Sequence, residues 1–238
     1  MPYLAKLPGP DKVASFLSDV EKYETSGYET YTNNRQSIDL GFDVTLHDPN
    51  HDTEYIRTFV QNLEKQFDLV LISDYFDESL VLLRRHLNWE TKDIVHIKKH
   101  TSRAPHPPKP LTPAQKQRHA SISVADRAVY EHFLALFLDR LHDQGAGLKE
   151  EVKEFQTILV QVQEFCGEVH NNSTDTTLVI PAGRWSSVVS IDQALCDWLA
   201  LKEVDWTAYQ RKKLSMTRPN PFSKRLFHLD IRRNQHLM

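Results

Sequence analysis

The chain has 238 residues, 40% hydrophobic and 26% charged, a composition that suits an ordinary globular fold with enough apolar material for one sizeable core. Its 29 basic and 32 acidic side chains leave a formal net charge of -3, so nothing in the bulk balance calls for nucleic acid or an anionic membrane. No apolar run reaches the roughly 18 residues of a membrane span, and the first residues, Met1 to Lys6, lack the charged-then-apolar order of a secretory leader.

In chain order, Asp11 precedes Val13, Phe16, Leu17 and Val20, whose spacing predicts a capped amphipathic helix. Residues 23–51 are irregular, with Ile38, Leu40 and Phe42 alternating as in a short strand. Asp52 or Thr53 opens a second helix carrying Ile56, Phe59, Val60 and Leu63 on one face. Residues 67–72 are nearly continuously apolar over strand length, which predicts a strand buried on both faces. A helix from about Asp77 through Leu87 follows, and Ile94, Val95 and Ile97 predict another short strand.

Five prolines between residues 105 and 113 exclude regular helix and mark residues 101–113 as an extended connector. Beyond it the helical period takes over. Val129, Phe133, Leu136, Phe137 and Leu141 mark one long helix; Leu148, Val152, Phe155, Leu159, Val162 and Cys166 mark a second; Gly145 and Gly147 between them predict an antiparallel hairpin. Leu178, Val179 and Ile180 interrupt a loop over residues 167–190, and residues 192–202 and 205–214 predict the last helices. From Arg211 onward eight Lys or Arg face one acid, Asp230, which reads as a solvated basic tail over residues 216–238.

Chemistry concentrates at the turn that ends the apolar run. Ligands of open α/β sheets sit beyond the carboxyl ends of strands, and there the chain presents Asp74, Tyr75, Asp77, Glu78 and Ser79. Asp77 as helix cap and Glu78 in the first turn also have a structural use, whereas Asp74 lies outside that turn. Arg84 or Arg85 could grip an anion, and adjacent helical residues point apart, so at least one is expected to be solvated. His86, His96 and His100 are possible proton carriers, although a lone histidine in a helix or strand is more often structural.

His47, Asp48, His51 and Asp52 are metal-compatible in type, but Pro49 breaks the helical spacing that would make them ligands, so the stretch reads as a polar turn and no metal site is expected. None of the seven glycines lies in a Lys-[Ser/Thr] phosphate loop. Asn171 and Asn172 open overlapping glycosylation acceptors, and Cys166 and Cys196 suit one bridge or two thiols.

Residues 67–84 closely resemble the corresponding stretch of the galactose 3-O-sulfotransferase family. Asn34-Arg35, residues 39–43, Leu87-Asn88-Trp89, residues 93–95 and Asp126 with residues 129–133 extend the likeness over about residues 5–165. Within it the family's usual Glu is Asp74, a Cys is Asn88, an Asn is His100 and a Trp-Asn pair is Ile122-Ser123. With Asn88 in place of Cys, Cys166 and Cys196 pair with each other or not at all.

The resemblance implies an α/β fold, here a partial P-loop-like one with few parallel strands and a helix-rich C-terminal half. Residues 1–100 would form the α/β acceptor-side part and residues 114–215 the helical part of the same domain. The implied reaction moves sulfate from 3′-phosphoadenosine-5′-phosphosulfate to the 3-hydroxyl of a terminal galactose on a glycolipid or glycan, on the lumenal side of the Golgi membrane.

The family's donor loop, catalytic histidine and membrane anchor match nothing here. The expectation is therefore an acceptor-side part that does not bind the donor by itself and has the missing N-terminal segment as its partner. Asp74, Glu78 and Arg84 are its acceptor-binding candidates, and no catalytic residue is assigned. A non-catalytic glycan- or partner-binding relative is the alternative.

Overall fold

The computed structural model describes residues 7, 9–23, 33–98, 110–172 and 176–217. His100, most of the connector and nearly all of the basic tail lie outside these residues. The chain divides into two compact units, one comprising residues 1–95, 100–160 and 180–189, the other residues 96–99, 161–179 and 190–238.

In the first unit, α1 (Lys12–Ser18) starts where Asp11 accepts a hydrogen bond from the Ala14 N–H. Phe16 and Leu17 of α1 and Val20 of α2 (Val20–Tyr23) form an apolar cluster with Leu7 and Ile122. Where alternation suggested a strand, residues 35–39 instead form α3 (Arg35–Asp39). A residue about ninety positions away decides this. The Asp126 carboxylate accepts the Gln36 and Ser37 N–H groups, at 3.2 and 2.6 Å, and caps the helix from outside.

Asp52 caps α4 (Thr53–Glu64), whose Ile56, Phe59, Val60 and Leu63 are all buried as their spacing predicts. Phe42 closes over this face, edge-on to Tyr55 and Phe59.

Residues 67–72 are extended but form no strand; Phe67 and Leu71 are 44% and 40% exposed, and only Ile72 is fully buried. A strand needs a neighbouring ladder to satisfy its backbone, and the described residues offer none here. Ser79 substitutes for one. Its buried hydroxyl accepts the Ile72 N–H and donates to the Ile72 carbonyl, each at 3.0 Å.

A 3-10 turn at Ser73–Tyr75 then leads into α5 (Phe76–Leu87). Asp77 lies within the first turn of this helix rather than at its cap, which is Tyr75. At the other end Asn88 adopts a left-handed φ of 53°, a conformation that asparagine tolerates well, and its N–H caps the Arg84 and Arg85 carbonyls.

Residues 91–94 form a second 3-10 turn and residues 95–98 no strand, so the short strand expected there is also absent. The remaining helices are α6 (Pro113–Ser121), opened by a Thr112–Gln115 capping box; α7 (Val124–Asp143); and α8 (Ala146–Asn172). Gly145, at φ 72°, makes the turn between α7 and α8, and α7 packs on α3, α4 and α6.

β1 (Leu178–Ile180) and β2 (Val189–Ile191) form one antiparallel pair. No parallel strand occurs among the described residues, which are predominantly helical. In the second unit α9 (Gln193–Ala200), capped by Asp192, is tied by a disulfide from Cys196 to Cys166 of α8. Trp198 of α9 meets Trp206 and Tyr209 of α10 (Glu203–Thr217) edge-on.

Candidate functional site

The turn at Ser73–Tyr75 follows directly on the extended run, and α7 lies opposite it in the first unit. Asp74 is exposed there, and its Oδ2 accepts a hydrogen bond from the Tyr130 hydroxyl at 2.8 Å. That bond, followed by burial and by the Asp74 charge, raises the Tyr130 pKa above its ordinary value and keeps the phenol protonated as the donor. Beside it Tyr75 packs against Phe137 of α7, which fixes the turn. The arrangement is a carboxylate at an accessible turn, oriented through one oxygen by a phenol. A carboxylate so held can accept hydrogen bonds from a ligand hydroxyl.

The other candidates behave differently. Glu78 is half-buried one turn further along α5, while Asp77 accepts a hydrogen bond from Gln156 Nε2 at 2.9 Å. Arg84 lies roughly 9 Å beyond Glu78 along the helix axis, at 1.5 Å per residue. Its Nε donates to Glu151 Oε1 at 3.1 Å, its Nη2 donates to the same oxygen, and its Nη1 reaches the Trp89 carbonyl.

Arg85 is not solvated either. Its Nε lies 2.8 Å from Glu151 Oε2, its Nη2 donates to the same oxygen, and its Nη1 reaches Gln144. Glu151 is 3% exposed, so two guanidiniums enclose one buried carboxylate. Arg84 is therefore a structural partner of α8 and is not brought together with Asp74.

The donor implied by the resemblance carries several phosphate and sulfate charges. Arg84 and Arg85 are committed to Glu151 rather than open to such charges, and no glycine of the sequence lies in a Lys-[Ser/Thr] setting. The described residues hold no cluster of three His, Cys, Asp or Glu side chains that could bind a metal. Asn171 and Asn172 end α8, and Ser173 and Thr174, which complete their acceptor motifs, lie outside the described residues.

Tyr130 and Glu151 were invisible to spacing arguments. Tyr130 lies in the run of residues 129–133 that carries the resemblance, but nothing in the sequence pairs it with a residue 56 positions away.

The model of the galactose-3-O-sulfotransferase family matches residues 1–183, somewhat more than the stretch whose resemblance is evident by eye. Galactosylceramide sulfotransferase of Bos taurus is 31% identical over 242 aligned positions, spanning the whole of this chain and 52% of that protein. Galactose-3-O-sulfotransferase 2 of Mus musculus is 34% identical over 156 positions, 63% of this chain and 39% of that protein, and the human galactosylceramide sulfotransferase is 29% identical over 241. The chain spans about half the length, or less, of these relatives. No solved structure matches. On the strength of the family match over three quarters of its length, the chain belongs to the galactose-3-O-sulfotransferase family.

Proposed function

We propose that this chain forms the acceptor side of an enzyme that transfers sulfate from 3′-phosphoadenosine-5′-phosphosulfate to the 3-hydroxyl of a terminal galactose on a glycolipid or glycan. The observation that carries this reading is the Asp74–Tyr130 pair. Asp74 occupies an accessible turn within residues 67–84, the stretch that closely resembles the family, and Tyr130 reaches it from α7. Tyr130 engages one oxygen of the carboxylate and sets its orientation, and a galactose hydroxyl is the ligand Asp74 would hold for transfer.

A Golgi-lumenal setting is part of the same reading. It is supported by the Cys166–Cys196 bridge, which suits an oxidising compartment. No helix among the described residues is long and apolar enough to cross a membrane.

The test is transfer of labelled sulfate to galactosylceramide, lactosylceramide and N-acetyllactosamine by an active form containing this chain, comparing Asp74→Asn and Tyr130→Phe with the parent. Turnover should fall in both variants by far more than the small loss of stability, about 1 kcal/mol, that one missing hydrogen bond brings. Full turnover in Asp74→Asn would remove the carboxylate from the acceptor site, and absence of galactose-3 sulfation in the parent would refute the assignment as a transferase.

A further inference from the structure

The polar turn at residues 47–52, set aside on sequence grounds because Pro49 breaks its spacing, is densely hydrogen-bonded together with residues 43–46. Its anchor is Asn34, fully buried and held at a left-handed φ of 52°. Asparagine tolerates that region well, and here its side chain is fixed as well as its backbone.

Asn34 Nδ2 donates to Asn33 Oδ1 at 2.9 Å, to Asn50 Oδ1 at 2.7 Å and to the Ile122 carbonyl at 3.3 Å. Its Oδ1 accepts the Asp126 N–H at 3.1 Å, and Asn50 Oδ1 also accepts the Val124 N–H. The backbone of the turn is thereby fixed to the start of α7. Tyr130, partner of Asp74, is one helical turn further along the same helix.

On this frame stands an oriented histidine. His47 Nδ1 lies 2.7 Å from Asp52 Oδ2, and its ring stacks on Tyr55 with centroids 3.5 Å apart and planes within 6°. Asp52 is itself fixed, since its Oδ1 accepts the Tyr55 N–H as the cap of α4. In the neutral ring a carboxylate on Nδ1 holds the proton there and leaves Nε2 as a hydrogen-bond acceptor.

His47 lines an open pocket of about 480 Å³ together with Asn33, Thr45, Asp48 and Asn50, and the strongly exposed Leu46 stands at its rim. That volume falls within the range of about 300–1,000 Å³ usual for small-molecule sites.

The charges select the ligand. Hydrogen bonds from Thr45 to Asp43, from the Asn50 N–H to Asp48 and from His47 to Asp52 hold these carboxyls below the usual carboxylate range. All three are ionised near neutrality and repel a phosphate or sulfate. A metal is disfavoured by the lack of a three-ligand cluster among the described residues. Amide, hydroxyl, carboxylate and imidazole groups around an apolar rim are the complement of a neutral polyhydroxyl ligand.

We propose that this pocket is a second saccharide subsite of the acceptor, distinct from the Asp74–Tyr130 pair, with His47 Nε2 accepting a hydrogen bond from a sugar hydroxyl and Asn33, Thr45 and Asp48 engaging others. It rests on the acceptor-side reading above.

The test is a two-dimensional amide NMR titration of the 238-residue chain with lactose, and separately with inorganic sulfate. Lactose should shift residues 33–50, and sulfate should not. His47→Phe, which keeps a flat ring against Tyr55 but removes both nitrogens, should weaken lactose about tenfold, the loss expected for one hydrogen bond. His47→Gln, which restores an acceptor on a side chain of similar reach, should recover part of that loss and covers the case in which the Phe variant does not fold.

Equal affinity in the parent and both variants, or sulfate shifts at residues 33–50, would overturn the proposal. Lactose shifts confined to Asp74 and Tyr130 would overturn it while leaving the acceptor-side reading intact. No lactose shift anywhere in the chain would overturn both.

Discussion

Glu151→Ala tests the most heavily committed ion pair in the first unit. The carboxylate is 3% exposed and receives two N–H groups from each of Arg84 and Arg85, whose side chains are 19% and 25% exposed. Removing one partner of a buried pair costs about 3–5 kcal/mol, because the other charge is left uncompensated. Here two cations lose their counter-charge, but both retain some contact with water, which places the expected loss near the lower end, at about 3 kcal/mol. At about 2–4 °C per kcal/mol for a protein of this size, the melting temperature should fall by about 6–12 °C.

Single Arg84→Met or Arg85→Met variants leave Glu151 one bidentate partner and should each cost about 1–2 kcal/mol. The Arg84→Met/Arg85→Met pair strands the buried carboxylate and should exceed the sum of the singles by about 0.5–3 kcal/mol. Urea unfolding without reductant, followed by circular dichroism and tryptophan fluorescence, reads all four. An Ala variant within about 0.5 kcal/mol of the parent, or strict additivity of the two arginines, would refute the clamp as a coupled unit.

Gly183→Ala should destabilise the first unit by about 1–3 kcal/mol. The added Cβ would fall 2.2 Å from Glu154 Oε1, a side-chain end held in place by the Arg184 and Trp185 N–H groups and the Ser186 hydroxyl; an unchanged urea midpoint would show that Glu154 can simply swing away. Reducing the Cys166–Cys196 bridge, which spans 30 positions, should lower the stability of the second unit by about 3–4 kcal/mol by freeing its unfolded chain. Hydrogen exchange should then rise in residues 161–172 and 193–200, and uniform protection with and without reductant would contradict this.

Asp74→Asn should bring the Tyr130 pKa back down towards its ordinary value of 10.0, read as phenolate absorbance in an alkaline titration against Tyr130→Phe. Because the folded pKa is raised, the bond contributes stability below the ordinary phenol pKa and loses it as pH climbs through the raised one. An identical titration in the Asn variant would mean that the two side chains do not pair in solution.

What could be read from the sequence follows the range of the forces involved. The stripe of Ile56, Phe59, Val60 and Leu63 and the cap at Asp11 depend on neighbours within about one helical turn, and both stand in the structure. The extended run of residues 67–72 does not. Its apolar character is compatible with a buried strand, but a strand exists only by virtue of a partner, and Ser79 satisfies Ile72 instead. Likewise the alternation of Ile38, Leu40 and Phe42 is overruled by Asp126, which arrives from far along the chain to cap α3. At the site, the position of Asp74 just past an apolar run was legible; its partner Tyr130 was not.

The arginine pair shows where side-chain reasoning from a helical wheel breaks down. Successive Cβ atoms on a helix diverge by about 100°, which is why Arg84 and Arg85 were expected to face different surroundings. The wheel describes where a side chain starts. A guanidinium sits at the end of a long, flexible stem and can travel back towards a neighbour's position, and a carboxylate with two oxygens offers each arginine its own acceptor. Glu151, withdrawn from water between them, gives both heads a reason to converge: Arg84 takes Oε1 and Arg85 takes Oε2. The same geometry commits Arg84 to Glu151 rather than to Asp74's turn. A basic residue becomes available to an anionic ligand only if no buried carboxylate on a neighbouring helix has claimed it first, and that depends on packing across 67 positions of chain that no local spacing records.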